Sequence, residues 1–168
     1  MRLWLVGMMG SGKTTAGALA AAHLEVPFHD TDDFVAQRMG CSVAQMWGNL
    51  GEAAFREIEK VAVAHLGVKD GVIATGGGVV LDEDNRGVLS DDDPVVWLEA
   101  SLACLQLRLE PTLDRPGLVS ADVSTEEFLV ATLENRRSLY AGIANHHIDT
   151  DWMSIEEVAA KIEDIWMS

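Results

Sequence analysis

Five short runs punctuate the chain: Arg2–Val6, Val26–His29, Gly71–Ala74, Pro94–Leu98 and His146–Asp149. They are mostly continuous in apolar residues and too short for helices, so they predict strands covered on both faces. Between them, apolar positions recur with helical spacing over Lys13–Leu24, Asp33–Met39, Ser42–Asn49, Gly51–Leu66, Ser101–Leu109, Thr125–Ala144 and Ser154–Trp166. Regular strand–helix alternation implies an α/β fold, a parallel sheet with right-handed crossovers and helices on both faces. No internal repeat and no linker-like segment interrupts the pattern, so residues 1–168 are expected to form one domain. One stretch, EPTLDRPGLVSADVS (residues 110–124), has no periodicity and is long for a loop in a compact domain, which predicts a lid.

In such sheets ligands collect beyond the carboxyl ends of the strands. The first strand runs into GMMGSGKTT, where Gly7, Gly10, Gly12, Lys13 and Thr14 fit the phosphate-binding spacing G-x-x-x-x-G-K-[ST]. Glycines let several backbone N–H groups converge on one anion, and the helix beginning near Lys13 points its positive end at the same place. Lys13 is expected to reach the β- and γ-phosphates from a solvent-facing loop, with Thr14 on Mg²⁺. HDTDD follows the second strand, and Asp30 and Asp32, alternating along extended chain, could both face the rim. One carboxylate suits a hard cation and the other could accept a proton from an attacking hydroxyl. Helix capping is the competing reading for Asp32 and the favoured one for Asp33.

TGGG (Thr75 to Gly78) lets backbone approach a small ligand closely. In FREIE, Arg56 and Glu59 share a helix face; a surface ion pair is the default, but the adjacent Phe55 suggests a partly buried site. VVWLE ends in Glu99, which resembles a Walker-B acid, although a cap or salt bridge at the start of the next helix is the favoured reading. His146 and His147 point to opposite faces of one strand, which disfavours shared metal ligation.

Charge changes the picture. The net charge is −15, with 27 acidic residues against 12 Lys and Arg. That excludes a nucleic-acid partner, which would need clustered cations, and it makes the position of each cation informative. The runs LDEDN and SDDDP read as solvated turns. No apolar run approaches the length of a membrane span. Cys41 and Cys104 lack metal spacing and read as small apolar fillers, in keeping with a cytoplasmic protein.

Taken together, GMMGSGKTT, DTDDFV, GEAAFREIE, ATGGGVV, LRLEPTLDRPGL and RRSLY resemble shikimate kinase over nearly the whole chain, in that family's order and spacing. The resemblance implies a three-layer P-loop fold of the nucleoside-monophosphate-kinase type, with a five-stranded parallel sheet ordered 2-3-1-4-5. It implies transfer of the γ-phosphate of ATP to the 3-hydroxyl of shikimate. Carried over residue by residue, Gly10, Ser11, Gly12, Lys13, Thr14, Thr15, Arg108 and Arg115 would bind ATP. Arg108 would flank the adenine and Arg115 would close with the lid. Thr14 and Asp30 would hold Mg²⁺. Asp32 would act at the reacting hydroxyl, and Arg56, Arg136, Gly76, Gly77 and Gly78 would bind shikimate, the arginines gripping its carboxylate. Arg137 would project into solvent. A monomer is expected, with shikimate and ATP as its partners.

Three positions depart from the family pattern: Gly117 in DRPGL, Trp47 on the substrate side, and Ser138 in RRSLY. Two alternatives stay open: another small-alcohol kinase of this fold, such as a gluconate kinase, or a nucleotide-binding module without turnover.

Overall fold

The computed structural model describes residues 1–89, 93–109 and 125–168. The lid stretch 110–124, with Arg115 and Gly117, lies outside the described residues. Five strands, β1 (Arg2–Val6), β2 (Phe28–Asp30), β3 (Gly71–Ala74), β4 (Val95–Glu99) and β5 (His146–Asp149), form one parallel sheet in the order β2-β3-β1-β4-β5. This is the order that the family resemblance implies. The helices are α1 (Lys13–His23), α2 (Thr31–Met39), α3 (Val43–Leu66), α4 (Glu83–Leu89), α5 (Leu102–Leu109), α6 (Thr125–Ile143) and α7 (Ile155–Trp166), with a 3₁₀ turn over Val79–Leu81.

The continuous apolarity of the strands has a direct cause. In β1, Trp4 and Val6 enter one core with residues of α3, α5 and α6, while Leu3 and Leu5 enter a second core with α1 and α7. All four side chains are fully buried, because successive side chains of a strand point to opposite faces and both faces are covered. Register aligns the strand ends: Leu5 of β1 and Asp30 of β2 both pair with Ala74 of β3. Gly7, Thr31 and Thr75 therefore leave the sheet at one edge.

Several boundaries differ from expectation. Helix α2 starts at Thr31 because the Asp30 carboxylate caps it, accepting from the Asp32 and Asp33 amides at 2.8 and 3.4 Å. Asp32 consequently sits in the first helical turn, not on extended chain, and the cap is neither Asp32 nor Asp33. The two helices expected over 42–66 form one span that changes direction at Gly51 (φ 80, ψ 168). LDEDN is not a turn: Asp82 accepts from the Asp84 and Asn85 amides at 2.9 and 3.3 Å and opens α4. Of SDDDP, Asp93 is partly buried and ion-paired with Arg2, while residues 90–92 lie outside the described residues. No helix among the described residues is long and apolar enough to cross a membrane.

Candidate active site

The phosphate loop links β1 to α1. Gly12 precedes the helix at φ 96, a conformation in which L side chains are strained. Lys13 does not face solvent, contrary to expectation. It is only 7% exposed, and its ammonium folds back to donate to the carbonyls of Gly7 (2.8 Å) and Met8 (2.7 Å). Ser11 is buried within the loop, while Thr14 and Thr15 are exposed at the start of α1. The Thr14 hydroxyl donates to Asp30 Oδ2 at 2.8 Å. Asp30 therefore does two jobs, one oxygen capping α2 and the other meeting the loop. Its charge, after burial, helps to raise the pKa of Asp33.

Arg108, on α5, donates to the Gly10 carbonyl at 3.4 Å and to the Thr150 hydroxyl and carbonyl at 3.1 and 2.7 Å. It ties the phosphate loop to the end of β5. Cys104, on the same helix, and Cys41 are free, half-buried thiols packed against apolar clusters, in keeping with their reading as fillers.

A second cluster surrounds Gly76, Gly77 and Gly78. Arg56 lies so close over Gly78 that a Cβ there would overlap both terminal guanidinium nitrogens. Arg56 donates to Glu59 at 2.9 Å and to Glu52 at 3.2 Å, and sits 5.2 Å from the Trp47 ring and 5.6 Å from that of Phe55. A position built on Gly76 at Cβ distance would be 2.7 Å from Asp32 Oδ1 and 3.0 Å from Glu59 Oε1, so both carboxylates face one backbone step. Arg136, from α6, brings Nη1 to 3.7 Å of the corresponding point on Gly77. Two carboxylates and two guanidinium groups thus converge on backbone that carries no side chains.

Glu59 is 1% exposed. Burial pushes its pKa up and the neighbouring Asp32 adds to that, while Arg56 and Arg136 pull it down; the net direction is up. Glu59 Oε1 and Arg56 Nε are buried without a hydrogen-bond partner among the described residues. Such groups have a large desolvation cost unless a ligand or water completes them. Tyr140, also on α6, is fully buried and donates its hydroxyl to the Gly77 carbonyl. Burial pushes its pKa up to about 12, so the phenol keeps its proton.

The structure brings together Lys13, Thr14, Asp30 and Arg108 at the loop, and Asp32, Arg56, Arg136 and Gly76–Gly78 beside it. Arg115 lies outside the described residues. Sequence reasoning missed Glu59 as part of the site, treating it only as the ion-pair partner of Arg56, and gave Tyr140 no role. The available signals were helical spacings: Glu59 three residues after Arg56, Tyr140 four after Arg136. Glu99 is not at the loop's service. It accepts from Arg137 at 2.8 Å and pairs with His147 at 2.7 Å, joining β4 to α6 and β5. Arg137 is exposed as expected, yet ion-paired.

The family profile described as Shikimate kinase matches residues 9–166. A shikimate kinase of Moorella thermoacetica is 41% identical over 164 residues, covering 95% of this chain and 91% of its own length. Among solved structures, a shikimate kinase from Acinetobacter baumannii in complex with shikimate superimposes with a TM-score of 0.92 at 30% identity, covering 99% of this chain and 92% of that one. A gluconokinase from Sinorhizobium meliloti reaches 0.60 at 16% identity, with 96% and 89% covered, a likeness of fold alone.

Proposed function

The chain belongs to the shikimate kinase family, and we infer from that membership that it transfers the γ-phosphate of ATP to the 3-hydroxyl of shikimate, using the residues gathered at Gly76–Gly78 and the phosphate loop. The observation that carries the residue assignment is the convergence of Asp32, Glu59, Arg56 and Arg136 on three glycines. Guanidinium forks match a carboxylate, and paired carboxylates match hydroxyls, so the cluster suits a hydroxylated organic acid.

In this reading Gly10, Ser11, Gly12, Thr14 and Thr15 cradle the phosphates with their amides, aided by the α1 dipole. Lys13 exchanges the carbonyls of Gly7 and Met8 for phosphate oxygens as ATP enters. Arg108 flanks the adenine and Arg115 closes over the phosphates. Asp32 orients the acceptor hydroxyl and takes its proton as the phosphoryl group moves.

Thr14 and Asp30 present hard oxygens 2.8 Å apart at the loop, and this donor pair fits Mg²⁺. Among the described residues no three His, Cys, Asp or Glu side chains are grouped to hold a metal, so the remaining ligands would be phosphate and water. When bound, Mg²⁺ neutralises charge on the β- and γ-phosphates. The strong negative charge supports a protein without nucleic-acid partners. We further propose that it works as a cytoplasmic monomer.

Coupled-assay ADP release tests the whole assignment. Turnover is expected with shikimate and background rates with gluconate or no acceptor. Equal rates with gluconate would replace the acceptor, and no release with either would leave a nucleotide-binding module.

A further inference from the structure

We propose that Tyr140 is a positioning residue for the acceptor site, its hydroxyl holding the Gly77 carbonyl, and with it the neighbouring Arg136, in the geometry that receives the acceptor's carboxylate. This rests on Arg136 being one arm of the carboxylate clamp.

Four observations support it. First, the Tyr140 hydroxyl donates to the Gly77 carbonyl, a contact between α6 and the glycine segment after β3. Second, Arg136 is one helical turn back on the same face, and its Nη1 lies 3.7 Å from the point where a Cβ on Gly77 would stand, so guanidinium and phenol meet the same glycine. The hydroxyl thus spends its one proton on Gly77 and leaves its lone pairs on the side of Arg136. Third, Met8 Sδ lies 3.8 Å from the same hydroxyl, and the Met8 carbonyl accepts from Lys13, so the phenol stands between the glycine segment and the phosphate loop. Fourth, the ring is held independently of its hydroxyl: it packs in the main core and stacks on Trp97 with centroids 6.0 Å apart.

That division of labour makes the role testable. Deleting the hydroxyl leaves the ring in its packing and removes only the hydroxyl's contacts with Gly77 and Met8. A guanidinium fork on a long, flexible stem loses much of its advantage when nothing fixes its plane. Charged hydrogen bonds depend on that geometry more than neutral ones do.

Tyr140 is the chain's only tyrosine, which supplies a probe within the wild-type protein. The 168-residue chain carrying ¹³Cζ-tyrosine should give one phenolic resonance. It is expected to shift when shikimate is added without nucleotide, and to shift less with the carboxamide analogue. Tyr140→Phe should raise KM for shikimate ~5- to 12-fold, the upper half of the range for a lost neutral hydrogen bond, while kcat and KM for ATP change by less than about 3-fold. In an Arg136→Ala background the same substitution should add less than about 2-fold, because residues acting through one another are not additive.

An unmoved resonance, an unchanged KM in Tyr140→Phe, or full additivity with Arg136→Ala would overturn the proposal. So would a fall in kcat at constant KM. The resonance experiment decides the question even if the Phe variant folds poorly. Failure of the clamp itself reads differently: Arg136→Ala alone would leave KM for shikimate unchanged, and the amide would be used as well as the acid.

Discussion

At Asp32 the local backbone and the proposed chemistry make separate demands. Its amide belongs to the cap that Asp30 accepts, whereas its carboxylate faces Gly76 and the buried Glu59. Asp32→Asn retains the amide and the side-chain shape while removing the charge. Its kcat should fall by roughly 10²–10⁴, the usual scale for loss of a general base, with the melting temperature nearly unchanged. Steady-state kinetics against both substrates check this; an effect confined to KM for ATP would move Asp32 to the metal's coordination sphere. Glu59 makes a different prediction, through pH. Burial raises its folded pKa above the ordinary 4.5, so the folded state binds that proton more tightly than the unfolded chain does. Its favourable contribution is complete below about the ordinary value and is lost as pH rises through the raised one. Glu59→Gln stays neutral throughout, so its melting temperature should gain on wild type as pH climbs from 4 to 7, even as KM for shikimate worsens. A difference that is flat with pH would mean that Glu59 is not held above its ordinary range. Lys13 and Thr14 were legible as site candidates from the spacing of the loop, Asp30 from its place at a strand end, and Arg56 only through its neighbour Phe55 and the family resemblance. Lys13's burial, Glu59 and Tyr140 were not, since each depends on how α3, α6 and the loop close around backbone that shows only glycines.

At the scale of elements, the central strands β1, β3 and β4 were legible because continuous apolarity in so short a run fits a buried strand and little else, whereas the edge strands β2 (FHD) and β5 (HHID) are more polar and only partly buried and were legible from the strand–helix alternation. Helix α4 was hidden by its own acids: LDEDN reads as a solvated turn until Asp82 is seen capping it, with Glu83 and Asp84 in the first turn where negative charge is favoured. The change of direction at Gly51 was read as a gap between two helices, which is close to what it is. There the backbone takes φ 80 and ψ 168, a region essentially reserved for glycine, with no atom within 4 Å of a built Cβ. Any effect of Gly51→Ala is therefore conformational and not steric. It should destabilise the protein by about 1–3 kcal/mol, read from the urea midpoint at constant m. The bend also sets where Trp47, before it, meets Phe55 and Arg56, after it, with Arg56 5.2 Å from the Trp47 ring. KM for shikimate should rise alongside the stability loss. A variant with unaltered stability would show that the two halves of α3 can meet without the special conformation.

Over the whole molecule the decisive quantity is the excess of acids, 27 against 12 Lys and Arg. Much of the positive charge is already committed. Arg2 pairs with Asp93, Lys60 with Asp82 at 2.8 Å, Arg137 with Glu99, and Arg56 with Glu59. Arg108 and Arg86 serve backbone carbonyls. The uncompensated carboxylates lie mainly at the surface, where their mutual repulsion acts over a long range and opposes the compact state. Contacts such as Arg56 with Glu59 are short and partly buried, and salt screens them much less. The two classes therefore respond unequally. At about 0.01 M ionic strength the screening length is roughly 30 Å, comparable to the protein, and at about 0.1 M it is roughly 10 Å. The melting temperature should rise steeply with NaCl over that interval and flatten above it, with KCl giving the same curve because the effect is screening and not ion-specific. Shikimate, an anion entering a negatively charged molecule, should bind more tightly over the same interval, while its uncharged carboxamide analogue should show no such trend. Calorimetric titration of both compounds at fixed temperature separates the two. If affinity for shikimate instead falls steadily with salt, the local field of Arg56 and Arg136 outweighs the net charge at the mouth of the site. A melting temperature that falls with NaCl would mean that surface ion pairs, not repulsion, dominate the electrostatics of the fold.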